Sequence, residues 1–324
     1  MTQPPLPEWA PHLAVWIGFP SAADLWLEDL APAQAEVAAF AAAVHGGGRG
    51  EQVWLVAADD VAATEARRLA PFAKIIVEPF GDIWLRDTAA IVLGSGVDCR
   101  GVDFGFNGWG GKYELPGDDT IGERLAAEAA ISCVRSDWIL EGGAIDGDGS
   151  GTFLTTEQCL LNPNRNPGFD KEEVEKRLRR DLGATRVVWL GDGLINDHTD
   201  GHVDNLARFV GPNRVAIPEA TTDDPNAGAY ADAAEILLNA DLDVVAIPSP
   251  GLVELDGEII PASYMNFYIG NAAVVVPLYG SANDGAAVDA IQALFPGRRA
   301  IGLRADHILT GGGSFHCISQ QVPQ

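Results

Sequence analysis

Short apolar segments typical of strands alternate with helical segments along the whole chain, and no serine-rich or proline-rich linker interrupts them. The helical candidates are residues 31–45, 59–70, 122–130, 170–182, 229–238 and 286–295. The strand candidates are residues 52–57, 73–78, 90–93, 186–190, 214–217, 243–247, 272–278 and 299–303. This alternation predicts an α/β fold in one domain that spans residues 1–324.

A unit of a few strands and one helix recurs along the chain, which predicts several supersecondary modules arranged around a centre. Repetition would also explain a single domain of this size, because one hydrophobic core usually stops growing at about 250 to 300 residues. The alternative architecture is a doubly wound parallel sheet. No predicted strand is followed by the glycine fingerprint of a dinucleotide-binding site, which argues against that alternative.

The chain is acidic, with a formal net charge of −25. Such a surface repels phosphate backbones and anionic membranes and attracts small cations, although acidity can also serve solubility alone. No apolar run approaches the roughly 18 residues of a membrane helix, and the first basic residue is Arg49, so a signal peptide would lack its basic start. These features predict a cytoplasmic protein without nucleic-acid or membrane partners.

A cysteine follows three glycines near the C-terminal end, in the run GGGSFHC at residues 311–317. Glycines let a substrate approach the backbone closely, so Cys317 is a candidate nucleophile. The alternative is a small buried hydrophobic residue, which is the commoner role of a free cysteine. The four cysteines show no spacing typical of a zinc or redox site, and we expect free thiols.

The run GHVDN at residues 201–205 offers an imidazole and a carboxylate two residues apart. In an extended segment, His202 and Asp204 would point to the same face, as an acid/base pair at one site. Two alternatives remain open: a metal site that includes His198 and Asp200, and structural hydrogen bonding. Gly201 disfavours the helix that would bring His198 and His202 onto one face.

Two further segments place acids beside aromatic residues or glycines. In the run DIWLRD at residues 82–87, Trp84 and Asp87 could hold a planar cation between a ring face and a carboxylate, and Trp109 could add a second wall. The alternative is a surface ion pair beside a half-buried tryptophan. Glu141, before two glycines, could orient an imidazole or bind a substrate N–H, or could accept backbone amides at a turn. Residues 161–167 predict a rigid turn.

Carboxylates around a thiol would repel the oxyanion that forms during amide hydrolysis. A site of this kind therefore favours a positively charged electrophile. A guanidinium group fits, because its N–H edges bind carboxylates bidentately and its central carbon stays open to sulfur. We expect Asp87 and Asp204 to be that pair.

Six ordered motifs, spread over nearly the whole chain, resemble the agmatine deiminase family, within the guanidino-group-modifying superfamily that includes peptidyl-arginine deiminases. They are PEWAPH at 7–12, WLRD at 84–87, EGG at 141–143, LLNPNRN at 160–166, GHVDN at 201–205 and GGGSFHCISQQ at 311–321. The resemblance implies a five-bladed α/β propeller (pentein) of pseudo-fivefold ββαβ modules, with a central active site and neither cofactor nor metal. It further implies hydrolysis of agmatine to N-carbamoylputrescine and ammonia, a step of putrescine biosynthesis, through a covalent cysteine thiouronium intermediate.

The resemblance also implies a role for each candidate residue. Cys317 would be the nucleophile, His202 the general acid/base, and Asp87 and Asp204 the guanidinium-binding carboxylates. The remaining site residues would be Glu141 as partner of the histidine or the substrate, and Trp84, Trp109 and Gly313 in substrate binding. The alternative activities are hydrolysis of peptidyl or free arginine, metal-dependent hydrolysis, and cation binding without catalysis. The expected partner is a small cationic guanidine, and a homo-oligomer is compatible with the sequence.

Overall fold

The structure is a computed structural model that describes residues 2–221, 223–255 and 257–324. Its strands are β1 (His12–Gly18), β2 (Gln52–Ala57), β3 (Lys74–Val77), β4 (Ile91–Leu93), β5 (Arg100–Gly105), β6 (Ser132–Ile139), β7 (Ile145–Gly147), β8 (Thr152–Thr156), β9 (Arg186–Leu190), β10 (Arg208–Gly211), β11 (Arg214–Glu219), β12 (Asp243–Pro248), β13 (Glu254–Leu255), β14 (Glu258–Ile259), β15 (Tyr268–Ile269), β16 (Ala273–Leu278), β17 (Arg299–Arg304) and β18 (Ser319–Pro323).

Its helices are α1 (Ala23–Trp26), α2 (Leu30–His45), α3 (Asp60–Leu69), α4 (Leu85–Thr88), α5 (Gly108–Gly111), α6 (Asp118–Glu128), α7 (Glu157–Leu160), α8 (Lys171–Leu182), α9 (Ala227–Asn239), α10 (Asp284–Leu294) and α11 (Asp306–Leu309). Five 3-10 turns lie at Leu27–Asp29, Gly96–Asp98, Gly142–Ala144, Val203–Asn205 and Tyr264–Asn266. Among the helices that the structure describes, none is both long and apolar enough to cross a bilayer.

Five mixed sheets share a three-stranded unit, in which the middle strand runs antiparallel to one neighbour and, across a helix, parallel to the other. The first sheet carries a fourth strand, β3, which runs parallel to β2. In strand order they are β18-β1-β2-β3, β4-β5-β6, β7-β8-β9, β10-β11-β12 and β15-β16-β17. The helices between the parallel strands are α2, α6, α8, α9 and α10. Strands β13 and β14 form a separate antiparallel pair. The α/β class and the recurring unit predicted from sequence are therefore confirmed.

Most predicted elements lie within a few residues of their observed bounds, and local chemistry explains the best cases. The Asp170 side chain accepts a hydrogen bond from the backbone N–H of Glu173 and caps the start of α8. Gly183, at φ 68°, ends the helix in the left-handed conformation that glycine adopts without strain. Two arginines in the last turn favour the negative end of the helix dipole.

In each of the five sheets a short turn, called the entry turn below, directly precedes the antiparallel edge strand. These turns are α4 before β4, Gly142–Ala144 before β7, Val203–Asn205 before β10, Tyr264–Asn266 before β15 and residues 315–318 before β18. Residues 161–169 form the predicted turn. The sequence motifs singled out above fall on or beside four of the five entry turns, so the topology carries them to equivalent positions.

The turn before β18 is anchored in the largest apolar core. The buried ring of Phe315 stacks on Phe40 of α2, with ring centroids 4.8 Å apart and an interplanar angle of 11°. The backbone N–H of Gly18 at the end of β1 donates to the Ile318 carbonyl at 2.9 Å. The pairing of β18 with β1 and the aromatic stack together hold residues 315–318 in place.

Candidate active site

The five entry turns bring their side chains into one buried cluster. Asp87, Gly143, Asp204, Asn266 and Cys317 each come from a different turn and are joined by the contacts described below. All five residues are at least nine-tenths buried. The structure therefore brings together Asp87, His202, Asp204 and Cys317, which come from three distant segments of the sequence.

The Cys317 thiol faces a carboxylate and an amide. Its Sγ lies 3.4 Å from Oδ2 of Asp204 and accepts from Nδ2 of Asn266 at 2.9 Å. The amide oxygen of Asn266 accepts from the backbone N–H groups of His316 and Cys317, at 3.1 and 3.2 Å. Asn266 therefore orients both the backbone and the sulfur of the candidate nucleophile.

Asp87 is held by two donors. Its Oδ1 accepts from the backbone N–H of Gly143 at 2.9 Å, and its Oδ2 accepts from the indole N–H of Trp109 at 3.0 Å. Oδ1 also lies 3.7 Å from Nδ1 of His202. Trp109 therefore orients the Asp87 carboxylate and also forms part of the wall of the site.

His202 is completely buried, and neither ring nitrogen has a hydrogen-bond partner among the described residues. Its backbone N–H donates to the hydroxyl of Thr199 at 3.1 Å. Ligand atoms of Glu141, Cys159 and His202 lie within 4.8 Å of one another. These three are the one potential metal-ligand group among the described residues, and they differ from the His198, Asp200 and His202 set considered above.

Gly143 leaves no space for a side chain. A β-carbon there would lie 2.7 Å from Nδ1 of His202, 2.9 Å from Oδ1 of Asp87 and 3.1 Å from Oδ2 of Asp204. Such distances are shorter than ordinary van der Waals contacts. The glycine therefore allows the imidazole and both carboxylates to converge.

Glu141 is paired with a buried arginine. The Nε of Arg165 donates to its Oε1 at 2.7 Å, while Oε2 has no partner among the described residues. Arg165 also contacts Asp200 and donates to the carbonyl of Thr199 at 2.8 Å. The LLNPNRN segment thus supplies a cation behind Glu141, which sequence analysis assigned only to a turn.

Burial and charge shift the ionisation of the central groups. Burial, with Asp204 and Asp87 nearby, raises the pKa of the Cys317 thiol well above its ordinary value. Burial opposes protonation of His202, but Asp87, Cys159 and Glu141 together raise the pKa of this histidine well above its usual value. At neutral pH the unliganded site therefore holds a neutral thiol beside an imidazolium.

The two candidate guanidinium ligands differ. Burial raises the pKa of Asp87, partly offset by His202. Burial acts in the same direction on Asp204, but the hydrogen bond and charge of His316 outweigh it and hold the pKa of Asp204 below its usual value. Asp204 is thus the carboxylate that the protein itself keeps ionised.

A cavity of about 540 Å³ opens onto this cluster. Asp87 and Cys317 line it, together with Trp84, Trp109 and the glycines at 311–313. A β-carbon at Gly313 would lie 2.5 Å from the Trp84 ring, so this glycine lets the indole pack against the chain. Trp26 stacks on Trp84, with ring centroids 6.4 Å apart, and both indoles donate to Asp82.

Two local expectations were wrong. Val203–Asn205 is a 3-10 turn rather than an extended segment, so His202 and Asp204 converge through a turn and not through strand alternation. The segment around Asp87 is buried helix α4, which contradicts the surface ion pair considered as an alternative. His198 lies at the cavity wall against Tyr113, and Asp200 contacts Lys112.

Sequence reasoning missed Asn266, His316 and Trp26. Asn266 and His316 occupy the same place before their strands as the predicted residues do before theirs. Comparing the residues that precede the edge strand of each module would have found both. Trp26 carries no such signal, because it reaches the cavity from the helix after β1.

The model of the Porphyromonas-type peptidyl-arginine deiminase family matches residues 5–323 of the chain. The chain belongs to this family. Its relatives in the family include the agmatine deiminase of Stutzerimonas stutzeri, which is 37% identical over 351 residues, covering 98% of this chain and 94% of that protein.

Solved structures agree with this placement. An agmatine deiminase of Enterococcus faecalis has a TM-score of 0.92 and 32% identity, over 99% of this chain and 96% of that one. A cysteine-to-serine variant of the C. jejuni agmatine deiminase with substrate bound has a TM-score of 0.90 and 28% identity, over 99% of this chain and 96% of that one.

Proposed function

We propose that this family member hydrolyses agmatine to N-carbamoylputrescine and ammonia. The observation that carries the proposal is the convergence of Cys317, His202, Asp87 and Asp204 beside a cavity that Cys317 and Asp87 line. The names of the relatives described above support agmatine as the substrate. Two carboxylates bind the guanidinium edges, Trp84 and Trp109 enclose it, and Gly313 leaves room beside the sulfur.

Binding of the cationic guanidinium between the two acids lowers the cost of charging the neighbouring thiol, which releases its proton to solvent water. The Cys317 thiolate then forms a bond to the guanidinium carbon. His202 donates its proton to one amino nitrogen of the tetrahedral adduct, and the C–N bond breaks to release ammonia. An S-alkylthiouronium remains on the enzyme.

The now neutral His202 removes a proton from water as the oxygen attacks the thiouronium carbon. The C–S bond then breaks as the hydroxyl proton passes to the sulfur, which returns the neutral thiol and releases the ureido product. Glu141, fixed by Arg165, lies beside His202 and favours its protonated state before each ammonia release.

The cavity mouth favours an amine at the far end of the substrate over a carboxylate. Its acidic lining residues are Glu28, Asp29 and Asp306, and no lysine or arginine is among the described lining residues. Asp29 contacts His307 and Asp306 contacts Arg304, at 2.6 Å each, so part of this charge is already paired. The carboxylate of free arginine would meet these acids here, with no lysine or arginine among the described lining residues to pair with it.

A substrate panel tests the function. Agmatine, free arginine and an arginine peptide are offered separately, and both ammonia and ureido product are measured. We expect kcat/KM for agmatine to exceed that for arginine by roughly 100-fold or more, because like charges placed together cost several kcal/mol. Equal or faster turnover of arginine would favour the alternative substrate, and no turnover of any guanidine would refute the proposal.

Thiol activation by the substrate has its own test. Chloroacetamidine and chloroacetamide are nearly isosteric, but only the amidine is cationic. The pKa of the Cys317 thiol is raised, so a bound cation should favour its thiolate. We therefore expect chloroacetamidine to alkylate Cys317 at a lower pH than chloroacetamide does. We also expect it to react at least ~10-fold faster, once the rate of each reagent is divided by its rate with glutathione. Cys317→Ser controls for labelling of the other three cysteines. The same rate ratio as with glutathione would rule out this activation.

We make three further proposals, about the fold, the domain organisation and the cellular setting of the enzyme. The five sheets surround the site as blades of a pentein propeller, which their shared topology supports. Residues 1–324 act as one catalytic domain, because one active site draws on all five sheets. The protein works on a small molecule in the cytoplasm. It needs neither a metal nor a cofactor, because each step above is assigned to its own side chains.

A further inference from the structure

The two oxygens of Asp204 have different environments. Oδ2 accepts from Nδ1 of His316 at 2.7 Å and lies 3.4 Å from both Asn266 Nδ2 and Cys317 Sγ. Oδ1 is buried and has no hydrogen-bond partner among the described residues. Because a buried carboxylate oxygen without a donor is costly, Oδ1 is suited to receive an N–H from a ligand.

His316 connects Asp204 to a second acid. Its Nε2 lies 2.9 Å from Oε2 of Glu8, on the opposite side of the ring from Asp204. The ring therefore bridges two carboxylate oxygens, in a position that is almost completely buried.

Glu8 is in turn held by a buried arginine. Arg208 donates from Nη2 to Glu8 at 2.7 Å and from Nε to Asp146 at 2.6 Å. Polar contacts thus link Asp146, Arg208, Glu8, His316 and Asp204 into one buried network. Such a network gives each buried group a partner and fixes the carboxylate at its end.

We propose that His316 is a positioning residue for the guanidinium site. Its Nδ1 holds Oδ2 of Asp204 and so leaves the unpartnered Oδ1 for the substrate. This inference rests on the proposed function, because it assigns how one of the substrate's carboxylates is held.

Two substitutions separate the contacts of the ring. His316→Asn places an amide N–H where Nδ1 stands and can keep the bond to Asp204, whereas His316→Gln places it near Nε2 and can keep only the bond to Glu8. We expect His316→Gln to raise KM for agmatine roughly 10- to 100-fold, with a smaller change in kcat, because Oδ2 loses its main donor. His316→Asn should raise KM less than 10-fold.

Melting temperatures of both variants accompany the kinetics. If His316 has only a structural role, the loss of activity should follow the loss of stability. The proposal would be overturned if the KM values of His316→Gln and His316→Asn lay within twofold of each other, or if His316→Asn had the higher KM. If wild-type protein does not hydrolyse agmatine, the proposed function fails instead, and the two failures are thereby distinguished.

Glu8→Gln is the second variant should His316→Gln be too unstable to assay. It leaves the contact between His316 and Asp204 in place, so KM should rise less than 10-fold. A larger rise at an unchanged melting temperature would show that the network acts through Glu8 rather than through Asp204, and would also overturn the proposal.

Discussion

Turnover of agmatine should fall about 10⁴-fold or more in Cys317→Ser, while agmatine binding stays within a few-fold of wild type. A serine hydroxyl is a far poorer nucleophile than a thiolate at this position, and removal of a nucleophile typically has effects of this size. The cavity and both carboxylates remain, so binding should persist. Stopped-time ammonia release and titration calorimetry measure the two effects separately.

Cys99→Ser is the matched control, because Cys99 is a free, partly exposed cysteine away from the cavity lining. It should retain wild-type kinetics. Substantial ammonia release by Cys317→Ser would show that the bond to the guanidinium carbon is not made by this sulfur. Loss of agmatine binding in the serine variant would instead show that the thiol holds the site together.

Gly143→Ala should lower kcat/KM by roughly 10³-fold, although it adds only one methyl group. The new β-carbon would meet the imidazole and both carboxylates at the distances described above, and displacements of about 1 Å at a catalytic group can cost ~10²-fold each. Gly143 does not have a positive φ, so alanine suits its backbone and crowding alone is tested. Steady-state kinetics with agmatine measure the loss.

The matched control is Gly191→Ala, where an added β-carbon has no neighbour within 4 Å and φ is not positive. It should leave kcat/KM unchanged. Overpacking in Gly143→Ala should also lower stability by about 1–3 kcal/mol, which thermal unfolding measures. Activity within 10-fold of wild type would show that His202, Asp87 and Asp204 do not converge at this glycine in the working enzyme.

Local chemistry made much of the fold predictable. The cap, the charge pattern and the glycine that follows predict helix α8. The bounds of apolar strands such as β2 and β9 were also predicted correctly. Strands β5 and β6 were missed, because charged and polar residues interrupt them and seven of the eight residues of β6 are exposed or only partly buried. Their pairing depends on neighbours that a local window does not contain.

The candidate site was predictable to the extent that its residues are chemically distinctive. A thiol, an imidazole and two carboxylates identify a cation site by type, whereas Asn266 is an ordinary amide until residues 316 and 317 fold against it. His316 was likewise hidden, because its role arises from acids at positions 8 and 204 that approach it only in the folded chain. Long-range pairing of polar groups leaves no periodic signal in a sequence.

The antiparallel pairing of β18 with β1 joins segments separated by about 300 residues, and β18 directly follows Cys317. During synthesis the early modules can form their own sheets, since each contains its own helix and strands, but they lack the Cys317 thiol. Catalysis must therefore await the emergence of residues 315–323 from the ribosome and their docking on β1. A growing chain of this kind stays inert towards cellular guanidines until β18 has paired with β1.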